Sequence, residues 1–443
     1  MNPDQEYVLK TIETRDVHFV RFWFTDLVGR MKSFAVSPSE LADAFEEGIG
    51  FDGGYIEGFD DGQGGYLLAY PEAPSFQVLP WRPVDNAVAR MFCTIRTPEG
   101  EVFDGDPRQV LTRTVSRLSE AGYEPILGPE VEYFYFSDAS SAPGELPQLL
   151  DRGGYFDLTS LDSASDLRRD TVLTLEKMGI PVEYSHHERG PSQHEVDLRV
   201  GDALAMADAV MTYKMVVKEV ALAHDVYASF MPKPRTDVPG SGLHLHLSLF
   251  DAQGNNAFYD ETDSTGLGLS ETAKHFVAGL LHYAPEYTLL MNQFANSYKR
   301  LAQDVAPHMV AWSRTSRNAM VRIPGYKPLK HGASRIELRS PDPACNPYLA
   351  FAAALSAGFE GIKQSMDLDA FPKMEAGEQI PEGTRSLPEN LGQAIEAFES
   401  SELMRQVLGE RMHARLVQLK REEWHESLAA VTDWDLARYF EVL

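Results

Sequence analysis

The sequence predicts an α+β protein of two domains, and three observations carry that expectation. The chain has 443 residues, 43% of them hydrophobic, more than one core organises, since single cores stop growing at roughly 250–300 residues. Stretches with helical and with strand periodicity alternate irregularly along it. No repeat of solenoid or propeller length recurs.

The elements follow in order. Pro3 to Thr14 reads as a helix, and Val17 to Phe24, the turn Thr25-Asp26-Leu27-Val28-Gly29 and Lys32 to Val36 read as a hairpin. Ser37-Pro38-Ser39-Glu40 opens a second helix with a capping serine and a proline in its first turn, and the glycines from Gly50 to Gly65 predict a loop. Strands around Phe76 to Leu79 and Ala87 to Ile95 close this region. Asp104-Gly105-Asp106-Pro107 begins a new helix, so the domain boundary is set there, giving residues 1–103 and 104–443. Helix Arg108 to Glu120, strand Pro125 to Phe136 and an exposed Ser/Ala/Pro/Gly loop from Ser137 to Gly154 come next. A helix near Ala164 to Met178, a strand pair between 182 and 199, helix Ala203 to His224 and strand Leu243 to Phe250 follow. After Ser386 the chain is mostly helical and ends on an amphipathic helix capped by Thr432, an element of the kind that docks on a neighbour.

Composition excludes some partners. Sixty-six acidic against forty basic residues give a formal charge of −26, which repels phosphate backbones and anionic lipid, so neither nucleic acid nor a membrane is expected. The N-terminus has no basic segment followed by an apolar one, and no window approaches about 18 uninterrupted apolar residues, so a cytoplasmic protein is expected. Cys93 and Cys345 lack the spacing of a redox or zinc site and read as packed thiols.

The chemistry gathers on strands. In Glu130-Val131-Glu132 the period of two sets both carboxylates on one face, where like charges oppose each other's ionisation unless they share a proton or hold a cation. Leu243-His244-Leu245-His246-Leu247-Ser248-Leu249 sets leucines on one face and His, His and Ser on the other, and Arg335-Ile336-Glu337-Leu338-Arg339 repeats the pattern. If these strands share a sheet, their polar faces line one cavity. His187-Glu188 and His194-Glu195 add carboxylates on either side of a Gly-Pro turn. Carboxylate-rich sites with little imidazole suit hard ions, so Mg²⁺ or Mn²⁺ is expected. Arg300, Arg317, Arg322, Arg335 and Arg339 have the forked donors that match carboxylate and phosphate oxygens, which points to phosphoryl chemistry without a P-loop or a dinucleotide fingerprint.

At these residues the sequence resembles the type I glutamine synthetases, most of all their actinobacterial secondary paralogues. The matching segments are Phe51-Asp52-Gly53, Gly128-Pro129-Glu130-Val131-Glu132, His187-Glu188 through Glu195, Lys233-Pro234, Gly240-Ser241-Gly242-Leu243-His244-Leu245-His246, the run Asn296 to Arg300, and Arg335 to Asp342, in the family's order across nearly the whole chain. The resemblance implies the glutamine synthetase fold, an N-terminal β-grasp domain and a large catalytic domain with a curved antiparallel sheet. It implies a homo-oligomer, a dodecamer of two hexameric rings with active sites between subunits. It also implies ATP, glutamate, and an amine or ammonia as substrates. By motif, Glu132, Glu188 and Glu195 hold one metal, and Glu130, His244 and Glu337 the other. Arg300, Arg339 and Gly242 bind glutamate. His246, Ser248, Arg317, Arg322 and Arg335 face ATP, and Asp52 joins Arg317 and Arg322 in catalysis.

The chain departs from that family at the amine. The family's ammonium pocket combines the aspartate of an Asp-Gly-Ser-Ser segment, a tyrosine, a metal-site glutamate and a flap glutamate two residues before a proline. Asp52, Tyr155 and Glu188 match, but Gly54-Tyr55 stands where the serines would, and the flap from Leu301 to Pro307 is a residue short, with Val305 in the glutamate's position and Asp304 beside it. An ammonium ion is held by charges and hydrogen bonds alone, so Val305 weakens its site while an alkyl chain gains from it. The expected product is therefore a γ-glutamyl amide of a primary alkylamine or polyamine. Two alternatives stay open: ammonia as the substrate, with Asp304 supplying the acid, and a non-catalytic scaffold or sensor.

Overall fold

Alternating apolar residues build two sheets, and their order brings the polar strands together. The structure, a computed structural model, describes all residues except 60–64, 139–144, 304–305 and 326–330. The first unit contains helix α1 (Pro3–Thr14), strands β1 (Val17–Thr25) and β2 (Met31–Val36), helix α2 (Leu41–Glu47), and strands β3 (Ile49–Asp52), β4 (Tyr66–Pro71), β5 (Gln77–Val78) and β6 (Ala87–Arg96). They form a sheet of order β2-β1-β6-β4-β3 with β5 on β6, in which β1 and β6 run parallel.

The second unit follows as α3 (Pro107–Glu120), β7 (Tyr123–Phe136), α4 (Ser165–Lys177), β8 (Val182–His187), β9 (Gln193–Leu198), β10 (Gly201–Asp202), α5 (Ala203–Ala223), β11 (Tyr227–Ser229) and β12 (Leu243–Asp251). Then come α6 (Glu271–His282), α7 (Ala284–Met291), α8 (Ala295–Leu301), β13 (Met309–Ser313), β14 (Ala319–Arg322), β15 (Ile336–Leu338), α9 (Pro347–Lys363), α10 (Leu391–Glu399), α11 (Glu402–Leu408), α12 (Glu410–Ala429) and α13 (Asp433–Tyr439). The sheet order is β13-β14-β15-β12-β7-β9-β8, antiparallel apart from β13 with β14, and β10 and β11 both pair with β7.

The leucines of β12 and Val131, Tyr133 and Tyr135 of β7 are fully buried in one core with residues of α3, α5 and α9. Tyr213 of α5 donates its hydroxyl hydrogen to the Val131 carbonyl at 3.0 Å, which fixes the helix over the sheet. The opposite face is thereby left to the ligands. The two units are tied by polar contacts: Gln293 Nε2 donates to the Val28 carbonyl at 2.7 Å, and Asn346 Nδ2 to the carbonyls of Asp26 and Leu27 at 3.3 Å. Arg108 of α3 grips Asp208 of α5 through two hydrogen bonds of 3.1 and 3.0 Å, and Tyr348 of α9 donates to the same carboxylate at 2.6 Å. Breaking such a paired, buried group typically costs about 3–5 kcal/mol.

Three expectations are corrected. Ser37 makes no side-chain cap, and its segment begins with a short 3-10 turn at Pro38–Glu40 before α2. The glycine stretch is not loop from Gly50 onward, because Ile49–Asp52 pairs with β4 as a strand that extended backbone allows even to glycine. The segment Ser137–Gly154 is not wholly exposed: Ser137 N–H donates to the Gln148 carbonyl at 2.9 Å, and Asp151 is buried. Among the described residues no helix is long and apolar enough to cross a membrane.

Candidate active site

Strand register assembles the site. His244 stands opposite Glu130, Glu130 opposite Asp197, Glu132 opposite Glu195, and Glu195 opposite His186. On the other side His246 faces Glu337, and Glu337 faces Arg322. Residues from β8, β9, β7, β12, β15 and β14 thus present one continuous acidic and imidazole face.

That face opens into a cavity of about 530 Å³ lined by Glu130, Glu132, Tyr155, Glu188, Glu195, Gly242, His244, Arg300, Arg317, Arg322, Glu337 and Arg339. Twelve residues expected from sequence therefore meet in one place. His246 lies just behind, its Nε2 at 2.6 Å from Glu130 Oε1 and its Nδ1 accepting from Arg335 Nε at 3.1 Å. Ser248 is further along β12 and donates to the Ser334 carbonyl at 3.1 Å. Asp52 and Tyr55 do not reach this cavity within the chain: Asp52 is exposed at the end of β3, where Oδ1 accepts from Gly54 N–H at 2.8 Å, and Tyr55 is 90% exposed. Asp304 and Val305 fall outside the described residues, while the neighbouring Gln303, Ala306 and Pro307 line the cavity.

Sequence reading missed His186, Gln193 and Asp197. The same period of two that exposed Glu130 and Glu132 would have set Gln193, Glu195 and Asp197 on one face of β9. His186 Nε2 lies 3.0 Å from Glu188 Oε1 and 3.7 Å from Glu195 Oε2. Gln193 Nε2 and Gly242 N–H both donate to Glu132 Oε2, at 3.0 and 2.7 Å. A Cβ at 242 would stand 2.9 Å from Arg300 Nη2 and 3.2 Å from His244 Nε2, so any side chain there would displace both groups.

Arg300 is buried and its guanidinium is aimed by the carbonyls of Ser340 and Arg339, at 2.8 and 3.2 Å. Glu337 is fully buried between Arg322 and Arg339, the latter at 2.5 Å. Burial opposes its charge, but Arg339, His244, His246 and Arg322 together hold its carboxyl below the usual range. Burial likewise opposes Glu130, and the hydrogen bonds of His244 and His246 outweigh it. On the β9 side the balance reverses. Burial and the charges of Asp197, Glu132, Glu130 and Glu188 push Glu195 well above its ordinary value, and burial with Glu130 pushes Asp197 up to about 6.

This donor set fits divalent cations. Among the described residues lining the cavity there is no lysine, and the carboxylates crowd until some must take up protons. On this face three groups have ligand atoms within 4.8 Å of one another, Glu130/Glu195/His244, Glu130/His246/Glu337 and His186/Glu188/Glu195, and behind it Asp151, His187 and His194 form a fourth. His246 and His186 thus stand among the possible ligands alongside the six expected, and oxygen-rich sets of this kind suit Mg²⁺ or Mn²⁺.

The raised groups give a pH signature. Burial and crowded charge favour the protonated forms of Glu195 and Asp197, whereas a bound cation requires carboxylates, so binding releases protons. Calorimetric Mn²⁺ titrations in buffers of different ionisation enthalpy are expected to show this release, smaller at pH 8 than at pH 6 and reduced in Asp197→Asn.

Profiles of known families match the chain along most of its length: "Glutamine synthetase, catalytic domain" over residues 104–439 and "Glutamine synthetase, beta-Grasp domain" over residues 16–98. A glutamine synthetase of Mycolicibacterium smegmatis is 45% identical over 450 residues, spanning all of both chains. One from Methanosarcina mazei is 43% identical over 99% of this chain and 98% of the relative. Among solved structures, a GmaS/ADP complex superposes with a TM-score of 0.86 at 30% identity, covering 98% of this chain and 99% of that one, and GmaS without ligand with 0.85.

Proposed function

The chain belongs to the glutamine synthetase family, and as one of its ligases we propose that it activates the glutamate γ-carboxylate with ATP and joins it to a primary amine in preference to ammonia. The observation that carries the ligase part of this reading is one cavity lined both by an acidic and imidazole face and by Arg300, Arg317, Arg322 and Arg339.

Each group has a task. Arg300, with two of its N–H donors spent on carbonyls, turns the rest toward Gly242, where the glutamate carboxylate is gripped with Arg339. Divalent ions, when bound by Glu130, Glu132, Glu188, Glu195, His244 and Glu337, neutralise charge on the phosphates and the reacting carboxylate. Arg317 and Arg322 stabilise the oxygens of the transferring group, and His246, Ser248 and Arg335 flank the nucleotide. A γ-carboxylate oxygen attacks the terminal phosphorus of ATP and ADP leaves. The amine nitrogen then attacks the acyl carbon, the carbon–oxygen bond breaks, and phosphate departs with that oxygen. The ammonium form of the amine must first lose a proton, which Asp52 is suited to accept. Asp52 and Tyr55 come from a neighbouring subunit in this account, and the enzyme is a ring oligomer.

Val305, Asp304 and Tyr55 select the amine. The superposition on GmaS, a γ-glutamylmethylamide synthetase, supports an alkylamine. The full-length identity to proteins named glutamine synthetase favours ammonia as the second reading. Glutamate-dependent phosphate release is to be compared across ammonium, methylamine, ethanolamine, putrescine and spermidine. An alkylamine is expected to give the highest kcat/KM; ammonium as clearly the best substrate sinks the proposal.

A further inference from the structure

Behind the cavity, Asp151 fastens the turn that joins Glu188 to Glu195. Its carboxylate is buried, and Oδ1 accepts from Ser192 N–H at 2.8 Å, from His187 Nε2 at 3.0 Å and from Gly153 N–H at 3.2 Å. Its own N–H donates to Ser192 Oγ at 2.8 Å. Ser192 has a φ of +62°, a left-handed conformation that costs a residue with a side chain about 1 kcal/mol or more and persists only where its surroundings hold it. The His187 ring carries the restraint onward, its Nδ1 at 2.6 Å from the Glu188 carbonyl.

The same aspartate reaches the amine side. Gly153 lies flat against His187, so that a Cβ there would stand 2.5 Å from Nε2. Phe156 N–H donates to the His187 carbonyl at 3.1 Å, with a φ of +61°. The Tyr155 and Phe156 rings stack at 4.1 Å and meet His186 edge-on at 5.3 and 4.9 Å. Asp151 therefore touches the turn that carries Glu188 and Glu195 and the segment that carries Tyr155.

We propose that Asp151 is a positioning residue which, through His187, fixes the spacing of Glu188 and Glu195 and keeps Tyr155 in register with them. Cation-holding carboxylates and the side chain facing the amine then move as one body. The amine half of this inference rests on the ligase reading; the carboxylate half rests on the geometry of the turn.

The test uses the assembled enzyme with Asp151→Asn, with Gly153→Ala as a second variant that displaces His187 without removing the carboxylate. Asp208→Asn, which weakens the buried pair joining α3, α5 and α9, controls for lost stability. Residues that orient metal ligands typically contribute 10–100-fold to affinity. Free Mn²⁺ measured by electron paramagnetic resonance is expected to show binding at least tenfold weaker in both Asp151→Asn and Gly153→Ala. KM for the preferred amine should rise tenfold or more while KM for ATP stays within twofold, and Asp208→Asn should lower the melting temperature without either change. Mn²⁺ affinity and amine KM within twofold of the parent in both turn variants overturn the proposal, as does an Asp208→Asn enzyme with the same pattern. A parent enzyme that turns over no amine counts against the ligase reading instead, and the Mn²⁺ titration then decides for or against Asp151.

Discussion

Glu130→Gln is expected to lower glutamate-dependent phosphate release by about 10³-fold or more, measured at saturating ATP and Mg²⁺ with the oligomer intact. Glu130 is the node of the site: His246 bonds one oxygen at 2.6 Å, His244 approaches the other at 3.2 Å, and Asp197 stands opposite on β9. The glutamine keeps the shape but removes the charge that two imidazoles and a cation share. It also offers His244 and His246 an amide where each faced a carboxylate, so both rings lose orientation. Activity within tenfold of the parent would mean that the acidic face does not hold the catalytic cation.

The second large effect tests where Asp52 acts. Asp52→Asn is expected to cost about 10²-fold or more in kcat, the range for a lost proton acceptor, although Asp52 is exposed and remote from its own chain's cavity. If a neighbouring subunit supplies it, co-assembled Asp52→Asn and Glu130→Gln chains regain activity. A random mixture pairs an intact Asp52 with an intact Glu130 at about one interface in four. Recovery to about a quarter of the parental rate is therefore expected after co-expression, and no recovery in verified mixed oligomers contradicts the shared site.

The sequence was most legible where one strand carries the whole signal. Glu130 with Glu132, His244 with His246, and Glu337 between two arginines each declared a ligand face, because a period of two leaves the opposite face to leucine, valine and tyrosine. What it could not show was register. That His246 meets Glu337 while Glu130 meets Asp197 depends on pairing between strands more than 60 residues apart in sequence, which no local pattern encodes. His186 was missed for that reason, since only the pairing of β8 with β9 sets it opposite Glu195, whereas Asp197 shares the face of Glu195 by the period of two alone. Asp151 was hidden differently: it closes a segment rich in Ser, Ala, Pro and Gly, and only the packed chain brings it against Ser192 and His187. Strand β3 was lost to its glycine, since composition argued for a loop while pairing with β4 decided the outcome.

The central claim is that glutamate is activated by phosphorylation of its γ-carboxylate within the acidic and arginine-lined cavity. Glutamate labelled with ¹⁸O in that carboxylate, turned over with ATP and the preferred amine, tests it most directly through the mass of the released phosphate. One labelled oxygen per phosphate, formed only when glutamate and amine are both present, is the predicted result; phosphate free of label would contradict the account.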